Sequence, residues 1–199
     1  MIADVCTPAW PTNLDAVTDA GEFNREILTW DSRRILAWIA TVDSDPSDGS
    51  WYWWWNIRHL AQRLLYDQSR PADERRQWAL VGIAVSQCAE RFGLQRPHDA
   101  AIDRSYVRVN VIRGVGPEHD GGPWDPLAVT ADVLDSMTMS PVDASSLSDD
   151  WRSLPVEDIR GLRRLKNRLG PVALIVDFLP AGDLRNQAER WLAVRDALP

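Results

Sequence analysis

Lysine is nearly missing from this chain: of its 22 basic residues, Lys166 is the one lysine and 21 are arginine. Arginine has GC-rich codons, so the skew points to a high-GC bacterial genome and carries no mechanistic information. Positive charge as a whole is also in deficit. Asp and Glu number 29, which sets the formal net charge at −7. That balance argues against general binding to nucleic acid or to an anionic membrane, both of which need a net basic face. Cysteine occurs twice, as Cys6 and Cys88, with no CxxC pair and no disulfide framework. A reducing cytoplasm fits such a chain. At 199 residues it can bury a real core without a disulfide or metal staple. The N-terminus lacks the basic and apolar regions of a signal peptide. The longest apolar run, Ala79 to Val85, is too short to span a bilayer. GxSxG, HExxH, P-loop and GxGxxG motifs are absent, and Gly114-Val115-Gly116 lacks the remaining spacing of a phosphate loop. No cofactor is implied.

What is present is helical periodicity. Residues 1–12 carry two prolines and no clear period, which predicts an arm. Asp19 and Glu22 have capping-box spacing, and Phe23, Ile27, Trp30, Ile35 and Trp38 follow as one helical series. The cluster at 43–50 is turn chemistry. Ser50 is placed to cap a helix over about 51–67, and Ser69 and Pro71 to open another. Trp78, Val81, Val85, Cys88 and Phe92 then form a seam with steps of three and four, closed by Gly93 as a left-handed cap. Residues 106–113 (YVRVNVIR) alternate valine with polar residues and predict a strand. Residues 114–126 predict a long loop, the weakest point for a domain boundary. Helices follow over 127–139 and, with a short helical piece near 140–150, from Pro155 onward. In that last helix Val156, Ile159, Leu162, Leu165 and Leu169 face inward. Residues 172–179 suit either a buried strand or a buried helix, and Pro171 at a first helical position favours helix. Asp183 opens the final helix, with Leu184, Ala188, Trp191, Leu192 and Leu198 on one side. The expected fold is a single, mainly α domain over 1–199: a bundle of six or more helices with a minor strand element.

The chain has eleven tryptophans, and four of them lie in Trp51-Tyr52-Trp53-Trp54-Trp55. Successive helical residues are offset by about 100°, so five aromatics in a row cannot all face one core. Trp53, Ile57, Leu60, Ala61 and Leu64 share one face, with Trp54 at its edge. Tyr52, Trp55, His59 and Tyr66 share the other, with Gln62 beside them. That second stripe is either packed by the rest of a bundle or lines a recognition surface for a planar ligand or a partner helix.

Two of the three histidines stand in His-Asp pairs: His98-Asp99 and His119-Asp120. With Asp103, Glu118 and Asp125 they are candidate metal ligands. A His-Asp pair in an all-α chain resembles the HD-type phosphohydrolases, and the resemblance implies a metal-dependent hydrolase acting on a small phosphorylated substrate. That family places its pair on a helix behind an apolar run, whereas His98 follows Pro97. Both pairs also read as turn and capping residues. Arg160, Arg164 and Arg168 step by four along one helix, which makes either a solvated face or a docking stripe for an anionic segment or ligand. The leading functional expectation is a cytoplasmic binding or accessory protein without catalysis. It would contact a partner protein, or an aromatic or apolar ligand, through Tyr52, Trp55, His59, Gln62 and Tyr66 and through the arginine stripe. The metal-dependent hydrolase and a structural homo-oligomer subunit are the alternatives.

Overall fold

The computed structural model describes residues 25–43, 52–149 and 151–199. The expected N-terminal arm with Cys6, the Asp19 capping box with Phe23, most of the 43–50 turn, the Ser50 cap and Trp51 lie outside those residues. Within them the chain forms α1 (Ser32–Thr41), α2 (Tyr52–Tyr66), α3 (Ala72–Arg91), α4 (Pro97–Gly114), α5 (Pro126–Asp135), α6 (Pro141–Asp149), α7 (Val156–Arg168), α8 (Gly170–Ile175) and α9 (Asp183–Ala197). Short 3₁₀ turns occupy Trp151–Ser153 and Val176–Phe178. The described chain is thus mainly helical, as expected, and contains no strand.

Helix boundaries follow from local chemistry. The helical series through Trp30 and Ile35 is interrupted, because Asp31 N-caps α1 by accepting from the Arg34 N–H at 2.8 Å. The five-residue step from Trp30 to Ile35 marks that break. At the end of α3, Gly93 takes φ +71°. The Gly93 N–H bonds the Glu90 carbonyl, and the Leu94 N–H bonds that of Ala89. These are the paired bonds of a Schellman close. Trp78, Val81, Val85 and Cys88 are buried along α3, while Phe92 is half-buried just past its last residue. Ser69 does not cap α3; its N–H and hydroxyl bond Asp67 in the preceding turn. The first residue of α7 also departs from expectation, since Val156 is 63% exposed. The ambiguous 172–179 segment is α8 and its 3₁₀ extension, in line with Pro171 near its start.

The expected strand at 106–113 is instead the second half of α4. Its valine alternation has a different cause: α4 is apolar on two sides. Val111 packs with Leu65, Ala79 and Trp124, whereas Val109 and Ile112 pack with Val129 and Ile175. A helix buried on two faces loses the one-sided periodicity that identifies most helices. On the Val111 side lies a core built from α1, α2 and α3, including Ile35, Trp53, Ile57 and Val85. On the other side α5 to α9 share a second core around Leu134, Ala144, Leu162, Leu169 and Trp191. Complete burial of each Val, Leu or Ile side chain among these contributes roughly 1.5–3 kcal/mol.

Two junctions hold α4 in place. The 114–126 loop folds back on itself, with the Glu118 N–H bonding the Trp124 carbonyl at 3.0 Å and Trp124 buried. Asp125, also buried, accepts from the Gly121 N–H at 2.9 Å and from the Leu127 N–H at 2.8 Å, so one carboxylate closes the loop and caps α5. At the α7–α8 junction the Tyr106 hydroxyl fills the space that a Cβ on Gly170 would need. Glycine there is what lets the α4 ring approach the backbone.

Candidate functional site

On α2 the five-aromatic run divides. Trp53 is 1% exposed, and Trp54, expected at the edge of the inner face, is buried fully beside it. Trp55 is 41% exposed and Tyr66 48% exposed, and His59 and Gln62 are exposed between them. Positions 55, 59, 62 and 66 fall on one helical stripe about 16 Å long. The side chain of Tyr52 lies outside the described residues. The stripe is ordered by ring contacts: Trp55 meets Trp54 at 5.6 Å and His59 at 4.5 Å, both edge to face, and the Arg58 guanidinium lies 5.5 Å from the Trp55 ring centre. Beneath, Trp38 meets Trp53 at 5.2 Å and Trp30 at 6.3 Å, again edge to face. Ring contacts thus form two sets on α2, one around buried Trp53 and one that leads from buried Trp54 to the outer face. The buried Trp54 Nε1–H has no hydrogen-bond partner among the described residues.

The His-Asp pairs do not converge. His98 and Asp99 occupy the first turn of α4, where Pro97 begins the helix. His119 and Asp120 are exposed in the 114–126 loop, and the Asp120 carboxylate accepts from the Gly122 N–H at 2.8 Å. The other carboxylates have structural partners. Asp103 pairs with Arg58 at 2.7 Å and accepts from the Gln95 amide, Glu118 pairs with Arg76 at 3.2 Å, and Asp125 caps α5. No group of three or more His, Cys, Asp or Glu residues that could hold a metal occurs among the described residues.

The arginine stripe of α7 has three different fates. Arg160 is exposed and pairs with Glu157 at 2.7 Å. Arg164 is exposed and has no hydrogen bond or ion pair among the described residues. Arg168 is half-buried, donating to the Ser136 carbonyl at 2.6 Å and meeting His98 Nδ1 at 2.5 Å. Arginine only donates, so Nδ1 is the acceptor and the neutral His98 ring carries its proton on Nε2. Burial holds the His98 pKa below the usual histidine value; Arg168 and, less strongly, Arg164 act in the same direction against Asp99.

His98, Arg164 and Arg168 line one cleft of about 360 Å³. Its apolar lining comes from Leu162 and Leu165 of α7, Met137 and Met139 of the α5–α6 connection, and Leu147 and Leu154. Glu157 and Asp158 stand toward the N-terminal end of α7. Sequence periodicity sets His98 and the arginines apart, because a contact spanning seventy residues has no local signature. A second, tighter cleft of about 70 Å³ between α2, α3 and α4 is lined by Arg58, Gln62, Asp103, Tyr106 and Asn110 among others. It is too small for more than a few water molecules. No helix among the described residues is long and apolar enough to cross a membrane. Comparison with protein-family models, with curated proteins and with solved structures finds no match for this chain.

Proposed function

We propose that the protein is a non-catalytic binding module that docks an apolar segment of a partner protein on the outer face of α2. One observation carries this reading: Trp55, His59, Gln62 and Tyr66 form a continuous exposed stripe on a helix whose other side is buried. Trp and Tyr offer large contact area at little rotamer entropy, and their N–H and O–H groups bond at a wet rim, so they concentrate where proteins meet. The ring contacts among Trp54, Trp55 and His59 hold the surface in shape before a partner arrives, which lowers the ordering cost of association.

A photo-reactive amino acid in place of Gln62 tests the reading in cells of the source organism. The expected result is a discrete cross-linked adduct that disappears when Trp55→Ala is added. An adduct at twice the chain mass would identify a second copy as the partner and support the oligomer alternative. Absence of any adduct, or an adduct indifferent to Trp55→Ala, would overturn the proposal.

A further inference from the structure

The α7 cleft shares no lining residue with the outer face of α2, and its chemistry is independent of any partner docked on that face. We infer that this cleft is a binding site for a small amphipathic monoanion. The ligand is an apolar chain or ring bearing one carboxylate, held by Arg164 and by the Nε2–H of His98.

Size comes first. About 360 Å³ lies at the lower end of the range for small-molecule pockets. The lining matches an apolar body, with Leu154, Leu162 and Leu165 against Met137 and Met139. Methionine walls adapt to chains of varied shape.

The polar groups then select the charge. Arg168 is already committed, since its guanidinium is shared between the Ser136 carbonyl and His98 Nδ1. Its role is to fix the imidazole as the Nε2–H tautomer, and Nε2 itself bonds nothing among the described residues. Arg164, likewise without a partner there, supplies a free guanidinium on the same cleft. A guanidinium from α7 and a neutral N–H donor from α4, both lining one cleft, are the complement of a carboxylate. A phosphate dianion suits the cleft less well. Glu157 and Asp158 line it too, and they offset the two arginines. Arg160, outside the lining, pairs with Glu157 at 2.7 Å, so the three arginines exceed the two carboxylates by one, an excess that one negative charge satisfies.

Calorimetry on the full chain at about pH 7.5 tests this with octanoate as the probe, octan-1-ol as its neutral counterpart and inorganic phosphate as the bare anion. Saturable one-to-one binding of octanoate is expected, with octan-1-ol weaker by about tenfold or more and no saturation by phosphate. Arg164→Met should weaken octanoate binding by about tenfold, and so should His98→Asn, which keeps an acceptor for Arg168 but loses the Nε2–H. Arg163→Met, on the same helix but outside the cleft, should bind as the parent does. Met139→Trp adds bulk to the cleft wall and should abolish binding, with the thermal midpoint reporting that each variant is folded. Equal binding of octanoate and octan-1-ol overturns the inference, as does parent-like affinity in Arg164→Met. So does tighter binding of phosphate, or failure of octanoate to saturate by about 10 mM.

Discussion

Trp53 and Trp55 stand two residues apart on α2 and make unequal demands on the fold. Trp53→Ala removes a ring that is 1% exposed and should cost about 3–5 kcal/mol. Trp55→Ala, at a position 41% exposed, should cost no more than about 1 kcal/mol. Urea midpoints of the two variants check the difference, and equal losses would make the outer face part of the core. His98 yields a second residue-scale expectation. Its folded pKa lies below the ordinary value of 6.5. Between those two values the unfolded chain binds a proton that the folded chain does not, so stability rises with pH across the window. The stabilising contribution is complete above the unfolded pKa and is lost as pH falls below it. Urea midpoints should therefore drop as pH falls from about 7.5 through 6.5, and His98→Asn should flatten that part of the slope. The inner face of α2 was legible from spacing, apart from Trp54, because 3.6-residue geometry decides which side chains share a face. The fate of the outer face was not legible, since nothing local says whether another element covers it.

At the scale of the element, end signals are safer guides than interiors. Gly93 closes α3 and Pro171 stands at the start of α8, as their chemistry requires. The capping box of α6 is written in Ser140 and Asp143, although the polar composition of 140–150 predicts only a short helical piece. The Asp143 N–H bonds the Ser140 hydroxyl at 3.2 Å, and the Ser140 N–H bonds the Asp143 carboxylate at 3.4 Å. Ser140→Ala should cost about 1 kcal/mol in a denaturant melt, with the loss centred on α6 in hydrogen exchange. The interior of α4 misleads because alternating valines satisfy a strand pattern and a two-faced helix equally well. Only the partners on both sides decide between them. In α3, Gly82 meets Val107 at an ordinary 3.6 Å from a notional Cβ. Gly82→Ala should therefore raise stability, by up to about 1 kcal/mol, through helix propensity alone. A fall would show that α3 and α4 are closer than ordinary contact allows.

On the scale of the whole molecule, α4 is shared between the core of α1–α3 and the core of α5–α9. Ile112 is fully buried on the side facing the second core. Ile112→Ala should cost about 2–5 kcal/mol. Because the helix belongs to both cores, fluorescence and circular dichroism should still report one coincident transition for this variant. A biphasic melt would mean that the cores unfold independently. The mainly helical character of the chain was readable from periodicity. The sharing of α4 was not, because it depends on which distant helices meet Val109, Val111 and Ile112.

The 114–126 loop carries its exposed tip at His119, Asp120 and Gly121, just beyond the helix that both cores use. A nick there separates the chain without cutting α4. The N-terminal piece keeps that helix with its Val109 and Ile112 face bare, and the C-terminal piece keeps Val129 and Ile175 with nothing to cover them. Each fragment is then the missing half of the other's interior. Expressed together, the two should find one another and restore a native-like complex, so the same loop offers a place to split the molecule into a pair of self-recognising halves.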